Sequence, residues 1–195
     1  MKEDRYEIRF SGSGGQGIIM AALLMAEAAG VYDGKFVCQT QSYGPEARGG
    51  TSKSEVVISD KAIDYPKAMK LDLLLAMNKR SVNAHFIDLK PEGLLIVDST
   101  LVDQLPTNRV VPIGFTEIAR KEVGKELVAN VVALGAVGHL CEMVALKSLE
   151  KALMARVPKG TEKMNRKAFH AGIKAAQKVD MVALPRLVLL EEEEV

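Results

Sequence analysis

The stretch Phe10-Ser-Gly-Ser-Gly-Gly-Gln-Gly-Ile-Ile19, FSGSGGQGII, places Gly12, Gly14 and Gly17 in a G-x-G-x-x-G between two apolar runs. The run before it, Tyr6 to Ser11, reads as a short strand; the run after it, Ile18 to Ala29, reads as an Ala/Leu/Met helix closed by Gly30. With Lys35 to Thr40 as a second strand, the unit spans roughly 30 residues, the size of one βαβ crossover. In a nucleotide-binding unit of this kind the glycines allow a tight turn and close approach of a pyrophosphate. The negative charge then sits at the positive end of the following helix. A dinucleotide site also wants an acid on the second strand, about 20 residues on, for the ribose hydroxyls. Here that strand ends Cys38-Gln39-Thr40-Gln41, with no Asp or Glu. Ordinary NAD binding is therefore disfavoured. Two readings of Gly12, Gly14, Gly15, Gln16 and Gly17 stay open: a site for another phosphate or anion, or a close-packed turn at a subunit contact.

Beyond the turn, strand and helix patterns alternate. Lys53 to Ile58 is a β-branched run bounded by Ser59-Asp60, and Leu71 to Ala76, Leu94 to Val97 and Val110 to Ile113 are continuous apolar runs. Runs of that type suit strands buried on both faces of a parallel sheet. From Glu117 onward the pattern is helix after helix, with Ser148 placed to cap Leu149 to Arg156 and Thr161 to cap Glu162 to Lys178. In the last helix Met164, Ala168, Ala171 and Ala175 form a stripe flanked by Phe169 and Ile173. The expected fold class is α/β: a Rossmann-like, mostly parallel sheet flanked by helices, with C-terminal helices. One domain over residues 1–180 and a tail over 181–195, with four glutamates before the final Val195, is the expected organisation.

The chain has 195 residues, 48% of them hydrophobic, enough for one well-buried core. Lysine and arginine number 26 against 25 acids, so the formal charge of +1 gives no electrostatic reason to expect nucleic acid or an anionic membrane. The start, MKEDRYEIRF, lacks the apolar core of a secretory signal, and a cytoplasmic location is expected. Leu127 to Leu146 is nearly apolar but carries Asn130, His139 and Glu142; it reads as a buried helix rather than a membrane span. Being apolar around most of its circumference, it needs cover on several sides, from this domain or from another subunit. Cys38 and Cys141 form no C-x-x-C, whereas an iron–sulfur cluster takes about four thiolates.

In an open parallel sheet, ligands gather outside the carboxyl ends of the strands. Gln16, Gln39, Gln41, Asn78 and Asp98-Ser99 fall there on this reading, although Asn78, Asp98 and Ser99 also suit helix caps and turns. The loop Ser42-Tyr-Gly-Pro-Glu-Ala-Arg-Gly-Gly-Thr51 is shaped by Gly44-Pro45 and Gly49-Gly50. Within it Tyr43 and Arg48 are candidates for a ligand or a neighbouring subunit, the guanidinium fork of Arg48 suiting carboxylate or phosphate. A local Glu46–Arg48 pair is the simpler alternative. His85, His139 and His170 read as structural or surface residues.

Taken together, RYEIRFSGSGGQGI, QTQSYGPEARGGTSKSEVVIS, DLLLAMN and NVVALGA resemble the gamma subunit, or gamma domain, of the 2-oxoacid:ferredoxin oxidoreductases, over roughly residues 5 to 180. The loop looks most like the 2-oxoglutarate branch of a family that also acts on pyruvate and 2-oxoisovalerate. The resemblance implies a complex that decarboxylates a 2-oxoacid on thiamine diphosphate with magnesium, passes electrons through iron–sulfur clusters to ferredoxin, and releases an acyl-coenzyme A. It implies alpha, beta and ferredoxin-like partner subunits that carry the thiamine and the clusters. This chain has too few cysteines for a cluster and lacks the G-D-G…N pattern of a thiamine site. Its implied share is assembly and the coenzyme A side of the active site, carried onto the glycine turn (Gly12, Gly14, Gly15, Gln16, Gly17) and the loop Tyr43 to Gly50 with Tyr43, Arg48 and Gly49; Gln16 and Asn78 are expected to complete hydrogen bonds in the same crevice. Alone, it is expected to self-associate through surface its partners would cover. The alternatives are a stand-alone Rossmann-type nucleotide-binding enzyme and a purely structural scaffold subunit.

Overall fold

The computed structural model describes residues 5–42 and 51–185. Strand β1 (Arg5–Ser13) leads through the glycine turn into α1 (Ile18–Glu27), which runs on as a wider turn to Tyr32. There follow β2 (Phe36–Ser42), β3 (Thr51–Ser59), β4 (Leu71–Ala76), α2 (Lys79–His85), β5 (Leu89–Asp98) and β6 (Val110–Ile113). The helical part comprises α3 (Phe115–Ile118), α4 (Ala129–Leu140), α5 (Leu146–Arg156) and α6 (Glu162–Ala176).

The six strands lie in the order β2-β3-β1-β4-β5-β6. The β1–β4, β4–β5 and β5–β6 pairings are parallel, and β3 runs antiparallel to both its neighbours. The α/β class and the mostly parallel sheet are therefore as expected, with one correction near the turn. The neighbour of β1 is β3, not β2, in register from Arg5 opposite Ser59 to Ser13 opposite Thr51. Antiparallel strands need only a short connection. β3 accordingly folds back on β2 and inserts between it and β1, so the second strand of the crossover lies one place away from the turn.

Alternation along the strands sorts the core. Ile8, Phe10, Val56, Ile58, Leu73, Leu75 and Ile96 face the helical layer of α1, α4, α5 and α6, while Leu74, Ala76, Leu95 and Val97 face Val82 of α2. The second face of β1 and β3 is charged where it is buried. Arg9 and Glu55, 4% and 5% exposed, pair at 2.8 Å; Arg9 also pairs with Asp88, and Lys53 with Glu55 at 3.2 Å. The arginine and lysine hold the Glu55 carboxyl below the usual carboxylate range against the opposing effect of burial. Glu7 accepts the Met69 and Lys70 N–H groups at 2.5 and 2.9 Å, and Glu55 that of Ala68 at 3.4 Å. These carboxylates pin the irregular segment before β4 across the polar face. Buried charges persist only when paired in this way.

The apolar helix α4 finds its cover within this chain. Val132, Ala133, Leu134, Ala136 and Val137 are fully buried, and α6 crosses so closely that a Cβ on Gly172 would stand 1.9 Å from the Val132 carbonyl oxygen. The contacting strip of α6 is Asn165, Ala168, Phe169, Gly172 and Ala176, one position round from the expected stripe. Two caps differ from expectation. Ser148 lies inside α5, its hydroxyl donating to Asp33 across the fold, and the Thr161 hydroxyl donates to the Pro158 carbonyl at 2.7 Å instead of capping α6. Among the described residues no helix is long and apolar enough to cross a membrane.

Candidate functional site

The glycine turn closes at the carboxyl end of β1. Gln16 folds back under it: its Oε1 accepts the Ser13 N–H at 2.6 Å and the Asn78 Nδ2–H at 3.3 Å, and its Nε2 donates weakly to the Met77 carbonyl at 3.4 Å. Asn78 has two tasks. Its Oδ1 caps α2 by accepting from Ser81 N–H at 2.9 Å, and its Nδ2 reaches Ser13 Oγ at 3.0 Å. The structure brings Gln16 and Asn78 together as a brace that fixes the turn on β4.

Gly15 and Gly17 adopt φ of +87° and +70°, the left-handed region that side chains disfavour. Around Gly14 and Gly15 a Cβ would meet nothing within 4 Å, so the outer side of the turn is bare backbone facing open space. On the inner side Gly17 is touched by Asn130, whose Nδ2 donates to the Gly17 carbonyl at 3.3 Å. A cavity of about 290 Å³ opens beside this contact, lined by Gly15, Gln16, Met77, Leu101, Thr116, Glu126, Leu127, Ala129 and Asn130. α1 starts beside this cavity after Gly17, and α4 starts at Ala129 out of a short 3-10 turn whose Glu126 carbonyl takes the Ala129 N–H; neither helix carries a side-chain cap. Helix starts leave backbone N–H groups without intrahelical partners and carry the positive end of the macrodipole. The lining acid, Glu126, is paired with Arg120 at 2.8 Å. Such a crevice suits an anionic group with an apolar neighbour, the latter because Leu101 and Leu127 stand exposed at its rim.

The remaining candidates divide. Tyr43, Arg48 and Gly49, with Glu46, lie outside the described residues, as does the tail from residue 186. Gly12 packs inward, where a Cβ would stand 2.7 Å from Gln16 Oε1. Asp98 is a structural acid, accepting from Thr100 N–H and from both the N–H and hydroxyl of Thr116 at the start of α3. Gln39 and Gln41 sit within β2, away from the turn's own strand. Sequence reasoning missed Asn130, Thr116, Leu101 and Leu127 as lining residues. Only Asn130 gave a signal, as the polar interruption in LVANVVALGA.

The cysteines do not fit an iron–sulfur cluster. Cys38 is on β2; Cys141 follows α4, where burial pushes its thiol up to about 11. Among the described residues no three His, Cys, Asp or Glu side chains gather as a metal site.

Comparison with known proteins supplies a family. The profile described as pyruvate ferredoxin/flavodoxin oxidoreductase matches residues 7–175. The chain is 48% identical over 179 residues to the 2-oxoglutarate synthase subunit KorC of Methanocaldococcus jannaschii, covering 90% of this chain and 96% of the relative. Among solved structures it is similar to the keto/oxoacid ferredoxin oxidoreductase gamma subunit from Geobacter sulfurreducens, with TM-score 0.82, 48% identity, and 89% and 97% of the two chains covered. The 2-oxoglutarate:ferredoxin oxidoreductase from Magnetococcus marinus, solved with 2-oxoglutarate, coenzyme A and succinyl-CoA bound, shares the fold at TM-score 0.81 and 23% identity; 98% of this chain matches 34% of that one.

Proposed function

The chain belongs to the pyruvate ferredoxin/flavodoxin oxidoreductase family as the gamma subunit of a 2-oxoacid:ferredoxin oxidoreductase, and from that premise we propose that it serves the oxidation of 2-oxoglutarate to succinyl-coenzyme A. The substrate assignment is supported by the 48% identity to a 2-oxoglutarate synthase subunit over nearly its whole length. The residues of this chain hold neither thiamine diphosphate nor clusters in the proposal. Alpha, beta and ferredoxin-like subunits supply them, so decarboxylation and electron transfer proceed next door.

The share of this chain is to present the crevice at the glycine turn to the phosphate-bearing part of coenzyme A, against a facing subunit. One observation carries this reading: the bare backbone of the turn at Gly15 borders a cavity beside the starts of α1 and α4, neither of which has a side-chain cap. Backbone N–H groups at helix starts recognise phosphate oxygens without a charged side chain. Leu101 and Leu127 offer the apolar part of the ligand or the facing subunit its surface. The stand-alone dinucleotide enzyme is not favoured, since the second strand of its βαβ unit, β2, is separated from β1 by antiparallel β3.

The test is steady-state turnover of the assembled complex against coenzyme A concentration, with cluster reduction by 2-oxoglutarate in its absence as the control. Gly14→Val adds a side chain where this chain has open space, so the fold is expected to survive. The proposal expects a raised requirement for coenzyme A with cluster reduction intact. An unchanged coenzyme A dependence overturns the ligand role, and failure to assemble assigns the turn to the subunit contact alone.

A further inference from the structure

The two edges of the sheet are unlike. β6 has four residues, one of them Pro112, and beside it Arg109 ties the edge to the carbonyls of Glu92, Gly93, Leu184 and Pro185. Shortness and proline are devices that stop an edge from pairing with another chain. β2 has none of them. It is seven residues long, reads FVCQTQS, and contains no charge and no proline. Among the described residues nothing pairs with its outer side, and Phe36 at its start is 52% exposed. A neutral, unprotected strand with a row of free N–H and C=O groups is a template for strand addition.

We propose that β2 pairs with β2 of a second copy, joining the two sheets into one about a two-fold axis normal to the sheet. Isologous pairing about such an axis keeps every side chain on its own face, so opposed residues must share the same parity. The register centred on Gln39 uses the whole strand: Phe36 opposes Ser42, Val37 opposes Gln41, Cys38 opposes Thr40, and Gln39 opposes its own copy. No like charges meet, and the formal net charge of +1 sets little repulsion between copies. The helical layers then lie side by side, since Val37 packs against the core on the α1 side. The seam is separate from the crevice at the glycine turn and stands whether or not that crevice takes coenzyme A.

The experiment exploits cysteine positions. Cys141 is buried, leaving Cys38 as the thiol that reagents reach. In the full chain carrying Thr40→Cys, the introduced thiol lies opposite Cys38 of the other copy. Mild oxidation is expected to give a disulfide-linked dimer, both from the chain alone and from the assembled complex. In the wild-type chain the two Cys38 residues are diagonal, about 8 Å apart between Cα atoms, too far for a disulfide. A short bifunctional maleimide should link them while oxidation does not. Gln39→Lys sets two ammonium groups across the axis and is expected to raise the dimer dissociation constant about fivefold or more in sedimentation equilibrium. Circular dichroism checks that this variant is folded. A wild-type chain that stays monomeric, a dimer that gives no linkage through Cys38, or Thr40→Cys linking to a different subunit of the complex overturns the proposal.

Discussion

Gly15 and Gly17 separate two costs that a glycine can hide. Gly15 is left-handed with open space around it, so Gly15→Ala is expected to lose only the backbone term, about 1–2 kcal/mol. Gly17 is left-handed and its Cβ would stand 2.4 Å from Asn130 Nδ2, so Gly17→Ala should cost more. Adding Asn130→Ala should then recover the excess and leave the backbone term, a comparison read from urea midpoints of the wild type, Gly17→Ala, Asn130→Ala and the double variant. Arg48 offers a second test of the ligand role. If its guanidinium contacts coenzyme A, Arg48→Ala removes a charge-assisted hydrogen bond of about 1.5–3 kcal/mol. That raises the apparent constant for coenzyme A roughly ten- to a hundred-fold at about 1.4 kcal/mol per decade. Arg48→Lys should restore part of the loss, because it returns charge without the fork. Normal coenzyme A kinetics in an intact complex would leave Arg48 as a loop residue.

Among the elements, the α4–α6 pair is the most exacting. Gly135 and Gly172 allow each helix to touch the backbone of the other: a Cβ on Gly135 would lie 2.1 Å from the Phe169 carbonyl oxygen. Gly→Ala in an exposed helix gains about 1 kcal/mol from propensity. Here the sign reverses, because backbone cannot move aside as a flexible side chain can. Gly172→Ala is expected to destabilise by about 3 kcal/mol or more, lowering the melting temperature by about 10 °C in calorimetry. A rise would mean that the helices slide apart without penalty. This packing also explains why α4 reads as too apolar for its own domain. Self-association therefore has to be sought at another surface, and the open edge of β2 offers one.

At the scale of the whole molecule, the polar face of the sheet ties stability to pH. His85 faces that layer from α2, and burial, then the charges of Arg9 and Lys53, lower its pKa to about 4, with Asp88 opposing. The unfolded chain protonates this histidine near its ordinary value of about 6.5. Between those values the unfolded state binds more protons, so stability falls as pH drops from about 6.5 towards 4. Glu55, with its depressed pKa, adds loss in the same direction at lower pH, as pH falls through its folded value. Melting temperature against pH should fall through this window, and His85→Gln should flatten the upper part of the slope; an identical slope in that variant would assign it to other groups. Much of this molecule was legible in the chain itself. Alternation and apolar runs marked β4, β6 and the strand–turn–helix at residues 6–29, because local periodicity follows from which face must be buried. The glycine turn together with SYGPEARGG marked the family, and in the turn the left-handed backbone at Gly15 and Gly17 restricts residue type by itself. The missing second-strand acid counted against a dinucleotide for the same local reason. Tertiary structure alone decided that β3 stands between β1 and β2, that Arg9 and Glu55 neutralise each other inside the sheet, and that Asn130 meets the glycine turn while Thr116 lines the cavity beside it. Those outcomes depend on residues far apart in the chain, whose partners no local pattern names. The competition between a short antiparallel return and a crossover is settled only when the whole sheet closes.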